Sequence, residues 1–305
     1  MLRKGFGAND RIQLGRIAHP GERGMEGWMP QGGSDGQPQT VNLSFSIPVG
    51  GGQLHGSARL PAGQTTLTQL LPILQNIENA IIGRVWEEGE QAGKAISCKA
   101  GCAACCRQMV PLSLFEAEAL AEWVGSLPEA GRAELERRFH AALIRLRDAG
   151  ALESLVKEDR VLEKEELTEL AIEYFRAGVP CPFLDNENCG IYSIRPMACR
   201  EYLVTSAPEL CRDPAENVVS GVLLPLKLSN VLHELGCEIE RNRRGWIPLV
   251  FLLAWGKSGL KPGDYVAGTG EEVLRRFLDK TAEMVAAQRD EEDAGAREQT
   301  DAGSA

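Results

Sequence analysis

The chain has 305 residues, 43% of them hydrophobic and 25% charged, with a formal net charge of −10. That is enough chain for a sizeable core, in one large domain or two small ones. An acidic surface lacks broad attraction for nucleic acid or anionic membrane, so neither is expected as a partner.

Residues 1–39 are rich in Gly, Arg, Gln and Pro and show no hydrophobic period; they read as disordered. They also lack the continuous apolar segment of a secretory signal, so a cytoplasmic location is expected. From Val41 the pattern changes. Val41, Leu43, Phe45 and Ile47 alternate with polar residues, Pro48 and Gly50–Gly52 mark a turn, and Leu54, Gly56, Ala58 and Leu60 alternate again. Period-two alternation on both sides of a turn predicts a β-hairpin, an extension spanning 40–62.

The remainder, 63–288, reads as one α-rich domain. Leu67, Leu70, Leu74, Ile77, Ile81 and Val85 recur at helical spacing, with Pro72 tolerable only in the first turn. Ser113 and Glu116 fit a capping box ahead of Leu120, Trp123 and Val124. Further helices are expected around Leu135–Leu146 and Leu167–Phe175, the latter stopped by Gly178 and Pro180. Others are expected around Leu228–Ile239, 247–255 and 272–287. The apolar run Trp246–Trp255 is too short to span a bilayer and, despite Pro248, reads as a buried helix. From Arg289 the chain is Asp, Glu, Ala and Gly without an apolar face, and 289–305 reads as a disordered acidic tail. The fold class is therefore mainly α, with a small N-terminal hairpin.

Nine cysteines are present, and most are bunched. Cys98, Cys102, Cys105 and Cys106 lie within nine residues, too close to pair well as disulfides. In a reducing compartment such clusters bind metal or do redox chemistry. The first motif is Cys98-x3-Cys102-x2-Cys105-Cys106. Its small spacers let the backbone wrap several soft thiolates around one centre and aim N–H groups at the sulfurs. The second is Cys181-Pro-Phe-Leu, Cys189-Gly-Ile-Tyr and Arg195-Pro-x2-Cys199-Arg200, on a turn-rich stretch between helices. Asp185, Asn186, Asn188 and Gly190 favour a reversal that brings Cys181 to Cys189. Arg195 and Arg200 either offset thiolate charge or pair with Glu187 or Glu201.

A lone cysteine is more often a small buried hydrophobe, but seven in two spaced groups are not explained that way. Cys98, Cys102, Cys105, Cys106, Cys181, Cys189 and Cys199 are the candidate metal ligands, closing one bipartite site. Cys211 is either an eighth thiolate or a buried thiol. Cys237 follows His233 by four positions, a pair read as core rather than as ligands. His19, His55 and His140 have no ligand constellation around them.

The two motifs, with Val110-Pro-Leu-Ser-x2-Glu116, resemble the YkgJ-type cysteine-cluster family of zinc- or iron-chelating domains over roughly residues 95–205. The resemblance implies zinc or an iron–sulfur cluster, and the near-adjacent first motif inclines the reading towards [4Fe–4S]. A related branch, the flagellin lysine N-methylases, carries a similar cluster. Through it the resemblance also implies S-adenosylmethionine and a protein substrate, and so a transferase as the alternative activity. A zinc-stabilised interaction module is the third reading. The radical S-adenosylmethionine spacing of Cys98, Cys102 and Cys105 is set aside: Ala104 stands where that superfamily has an aromatic, and the downstream chain is helical rather than βα-repeating. Gly268-Thr-Gly270 is too short for a phosphate loop. Arg241, Arg243 and Arg244 read as a helix end, and Glu163, Glu165, Glu166 and Glu169 as an exposed face.

Overall fold

The computed structural model describes residues 11–13, 39–49, 52–157, 162–239 and 244–302, and only the backbone for 11–13 and 291–302. Most of the segment read as disordered from 1 to 39 lies outside the described residues. Strand β1 (Arg11–Gln13) is the exception, pairing in parallel with a later strand. Strands β2 (Thr40–Val49) and β3 (Gly52–Pro61) form the expected antiparallel hairpin, in register from Thr40↔Pro61 to Val49↔Gly52. β3 lies in the middle, between β1 and β2. Its alternation buries Leu54, Ala58 and Leu60 on one face, beside Ile47 and Val49 of β2. That face completes the main core.

The rest is mainly helical. After β4 (Gln64–Thr66), helix α1 (Leu67–Gln91) starts at a Thr66–Gln69 capping box. Pro72 stands in its second turn, not its first. Buried Leu70, Leu71 and Leu74 around it carry the helix across the missing N–H. Strand β5 (Pro111–Ser113) leads into α2 (Leu114–Ser126) through the Ser113–Glu116 capping box. Next come α3 (Glu129–Asp148), α4 (Leu152–Lys157) and α5 (Lys164–Arg176). Gly178, at φ 63°, ends α5 as its position predicts.

Short elements β6 (Leu184–Asp185), β7 (Asn188–Cys189) and α6 (Met197–Glu201) carry the second cysteine motif. Helix α7 (Leu228–Ile239) matches the expected periodicity. Residues Trp246–Trp255 do not form one helix. They divide into strand β8 (Trp246–Pro248), a 3-10 turn (Leu249–Phe251) and short helix α8 (Leu252–Gly256). Pro248 cannot donate within a helix, and the chain before it pairs with β5 instead.

Strand β9 (Ala267–Thr269) pairs with β4 and leads into α9 (Gly270–Ala302). That helix continues through the acidic stretch beyond Arg289 as far as Ala302. Its Ala, Glu, Gln and Arg are good helix formers, so an apolar face is not required for the backbone to go on. Among the described residues, no helix is long and apolar enough to cross a membrane.

Among the described residues, three large apolar clusters and one small one are present. The main one joins the hairpin, α1, α7 and α9 through Leu60, Leu74, Ile77, Leu232 and Phe277. A second packs α2, α3 and the β5–β8 pair around Leu112, Leu120 and Phe139. A third joins α3, α4 and α5 around Leu146, Leu155 and Tyr174. Cys181 and Cys189 pack against the second cluster, and Met197 of α6 reaches into the main core.

Candidate metal centre

The first cysteine group lies in a loop between α1 and β5. Gly101 sits there at φ 83°, a left-handed conformation that costs glycine little and lets the loop turn between Cys98 and Cys102. The amide of Ser97 donates to Val204 O at 2.9 Å, and that of Val204 donates to Cys98 Sγ at 3.4 Å. Cys98 is thus fixed against the chain that follows α6. Cys98 and Cys102 pack with Tyr202, Val219 and Ala104 around the buried Cys211.

The second group is built on the reversal expected from its turn residues. Leu184 pairs with Cys189 and Asp185 with Asn188, joined through Asn186 at φ 47° and Glu187 at φ 60°. Two consecutive left-handed residues are the geometry of a type I′ hairpin turn. Asn tolerates it well; Glu187 holds it while pairing with Arg107 at 2.6 Å. The backbone amides of Phe183 and Leu184 near Cys181, and of Ile191 near Cys189, favour the thiolate forms, though burial outweighs them. Backbone N–H groups aimed at sulfur stabilise thiolates and tune bound metals. Cys181 and Cys189 pack against the second apolar cluster.

Helix α6 carries Cys199 and Arg200, and buried polar contacts set its position. Glu116, buried at the start of α2, accepts from the amide of Met197 at 2.7 Å through Oε1 and from Ser113 Oγ at 2.7 Å through Oε2. Glu201 accepts from the Ser229 amide at 2.9 Å and from its hydroxyl. Arg200 is 7% exposed and donates to Ser193 O at 2.7 Å, Arg195 O at 3.0 Å and Asn79 Oδ1 at 3.1 Å. Its Nε lies 3.7 Å from buried Glu78 of α1. Burial first, then the nearby Glu201, pushes the Glu78 carboxyl well above the usual range.

The sequence offered Arg195 and Arg200 equal standing; the structure separates them. Arg200 ties α6 to α1. Arg195 stacks over the Tyr192 ring, 4.3 Å from its centroid, and its charge favours the thiolates of Cys98, Cys105, Cys189 and Cys199. Its Nε is buried without a hydrogen-bond partner among the described residues. Neither arginine takes Glu187, which belongs to Arg107.

All nine cysteines are free thiols. Cys105 and Cys106 are hydrogen-bonded to each other, which lowers Cys105 and raises Cys106. Burial raises Cys98, Cys189 and Cys199, pushes Cys211 up to about 11 and pushes Cys181 up to about 12. Cys105 is the common neighbour, felt electrostatically by Cys98, Cys181, Cys189, Cys199 and Cys211. Among the described residues, no three Cys, His, Asp or Glu side chains close on one point as a ready ligand set. The donor chemistry fits zinc or iron: soft sulfurs, a backbone N–H donating to Cys98 Sγ, and a guanidinium to offset negative charge.

Cys237 is elsewhere. It accepts from the Gly245 amide at 3.2 Å, with Glu234 and Glu238 as its charged neighbours. His233 turns inward against Trp246, with its Nε2 buried and without a hydrogen-bond partner among the described residues, so the two do not form a ligand pair with the other cysteines. The buried carboxyl of Glu78 escaped the sequence reading, which had Glu116 only as a helix cap and Glu201 only as an arginine's partner.

Fold and site together define a mainly helical protein carrying a cysteine-rich segment. Residues 97–217 match the family model CxxCxxCC, described as "Putative zinc- or iron-chelating domain". The first gap of that pattern is one residue longer here, where Gly101 makes its turn. No curated protein and no solved structure matches the chain.

Proposed function

We propose that this protein holds zinc or an iron–sulfur cluster through thiolates drawn from both cysteine segments, Cys98, Cys102, Cys105, Cys106, Cys181, Cys189 and Cys199. One observation carries the reading: the Cys181 amide donates to the Cys106 carbonyl at 2.7 Å, which brings the second cysteine segment onto the first. Binding draws the sulfurs inward and removes their protons, and the free energy of binding adds to that of folding. Arg195 offsets part of the accumulated charge. The Val204 amide orients the Cys98 sulfur. The metal supplies a rigid cross-link between segments and, if iron, a one-electron couple.

Metal analysis and an absorption spectrum on anaerobically purified protein test this. Iron with acid-labile sulfide and a brown colour identifies a cluster, and stoichiometric zinc in colourless protein identifies a zinc site. Protein that folds normally with neither metal overturns the proposal.

A further inference from the structure

The chain beyond the cysteine motifs ends in an exposed apolar edge. The Thr205 amide donates to Ser220 O at 2.9 Å and the Val222 amide to Leu203 O at 2.8 Å, on either side of the antiparallel bridge between Val204 and Gly221. Ser97 takes the other side of the same segment, its amide donating to Val204 O at 2.9 Å. Backbone groups alternate in direction along such a ladder, so those of Ser220 and Val222 face inward and those of Val219, Gly221 and Leu223 face outward. Among the described residues, the Val219 and Leu223 amides and the Gly221 carbonyl have no backbone partner. Val219 packs on the small cluster that holds Cys98, Cys102 and Cys211. Val218 and Leu223, by contrast, are 88% and 94% exposed. Free edges are usually blunted by charge or proline, yet neither stands between Asn217 and Leu224.

We infer that a second copy of this chain pairs with this edge, antiparallel about a twofold axis through Gly221. The sequence is self-complementary about that point. The axis sets Val218 opposite Leu224 of the second copy, Ser220 opposite Val222, and Val219 opposite Leu223. The last two both direct their backbone groups outward, so the pairing joins free amides to free carbonyls. The same register brings Glu216 of one copy to Lys227 of the other at both ends of the apolar stretch, opposite charges related by one axis. Leu223 of each copy then covers Val219 of the other, above the cysteine cluster. The inference goes beyond the metal reading and does not depend on it.

The test is sedimentation of the full chain over a concentration series, joined to backbone hydrogen exchange. Physiological salt is used, because two chains of net charge −10 repel at low ionic strength. The wild type is expected to dimerise, with the Val219 and Leu223 amides exchanging more slowly as the dimer forms. Leu223→Lys, at a surface position, should weaken the dimer by about a hundredfold or more while leaving the melting temperature unchanged. Lys227→Glu should weaken it by about fivefold to tenfold, and Lys227→Glu with Glu216→Lys should regain most of the loss. A wild type that stays monomeric at every concentration overturns the proposal. So does a dimer indifferent to Leu223→Lys, or one whose protected amides exclude Val219 and Leu223.

Discussion

The amide of Cys181 donates to the carbonyl oxygen of Cys106 at 2.7 Å, joining the two cysteine segments through their backbones. The contact precedes any shared metal: it sets the second segment's entry beside the end of the first. Binding therefore tightens an arrangement the chain already holds, and metal removal should loosen the structure without erasing the helical cores around it.

Chelation of the reduced protein is accordingly expected to lower its unfolding temperature while most of its helical circular dichroism persists at 25 °C. A loss of several kcal/mol is expected, since metal-binding free energy contributes directly to folding. At roughly 2–4 °C per kcal/mol for a chain of this size, a shift near 10 °C is the scale to look for. An unchanged melting curve after verified metal removal counts against thiolate binding as a structural term.

Glu116→Ala should destabilise the fold by about 2–4 kcal/mol, because it strands the buried Met197 amide and removes half of the α2 capping box. Glu116→Gln keeps an acceptor for Met197 and should cost less. Denaturant unfolding measures both. Since Met197 begins the helix carrying Cys199, the alanine variant should also release metal faster to a competing chelator.

Gly236→Ala reverses the usual helix preference. Alanine within α7 would ordinarily gain about 1 kcal/mol over glycine. Here its Cβ would stand 2.4 Å from Gly245 O and 2.8 Å from Gly245 Cα, which are backbone atoms without a rotamer to yield. A net loss of about 1–3 kcal/mol is expected from overpacking. A stabilised variant in urea unfolding would contradict the close approach of α7 to β8.

Burial pushes His233 down to about 4, against an ordinary value near 6.5. Between those values the unfolded chain takes up a proton that the folded chain refuses. Stability is therefore undiminished above pH 6.5 and falls as pH drops towards 4, by about 3 kcal/mol in total. His233→Leu removes this dependence. The wild type minus variant difference, measured by unfolding at pH 7 and pH 4.5, should shift by about 2–3 kcal/mol; a constant difference would place the ring in contact with water.

Local periodicity made the hairpin, the starts of α1 and α2, and helices α3, α5 and α7 readable from the sequence, because each signal is carried by residues close in the chain. The Trp246–Trp255 stretch was not, because apolar content alone cannot separate a strand, a turn and a short helix around Pro248, and pairing with β5 decided the matter. The cysteine spacing marked the site, and Asn186 with its neighbours marked the hairpin that presents Cys189. The neighbours of each thiol were hidden, since they depend on contacts between distant segments. Arg195 and Arg200 look alike in the sequence and do different work, because one faces sulfur and the other faces Gln75, Glu78 and Asn79 of α1.

That attachment of Arg200 to α1 separates two kinds of boundary. The segment recognisable by sequence runs from 97 to 217, yet its polar anchor lies on a helix before it, the partner of Glu201 lies on Ser229 beyond it, and Met197 is buried among side chains of both flanks. Excised at its recognisable ends, the cysteine region would carry an arginine stripped of its acceptors on α1 and a methionine without a core. What is inherited as a unit is thus narrower than what melts as a unit, and the gain or loss of a metal should be felt as far away as the N-terminal hairpin.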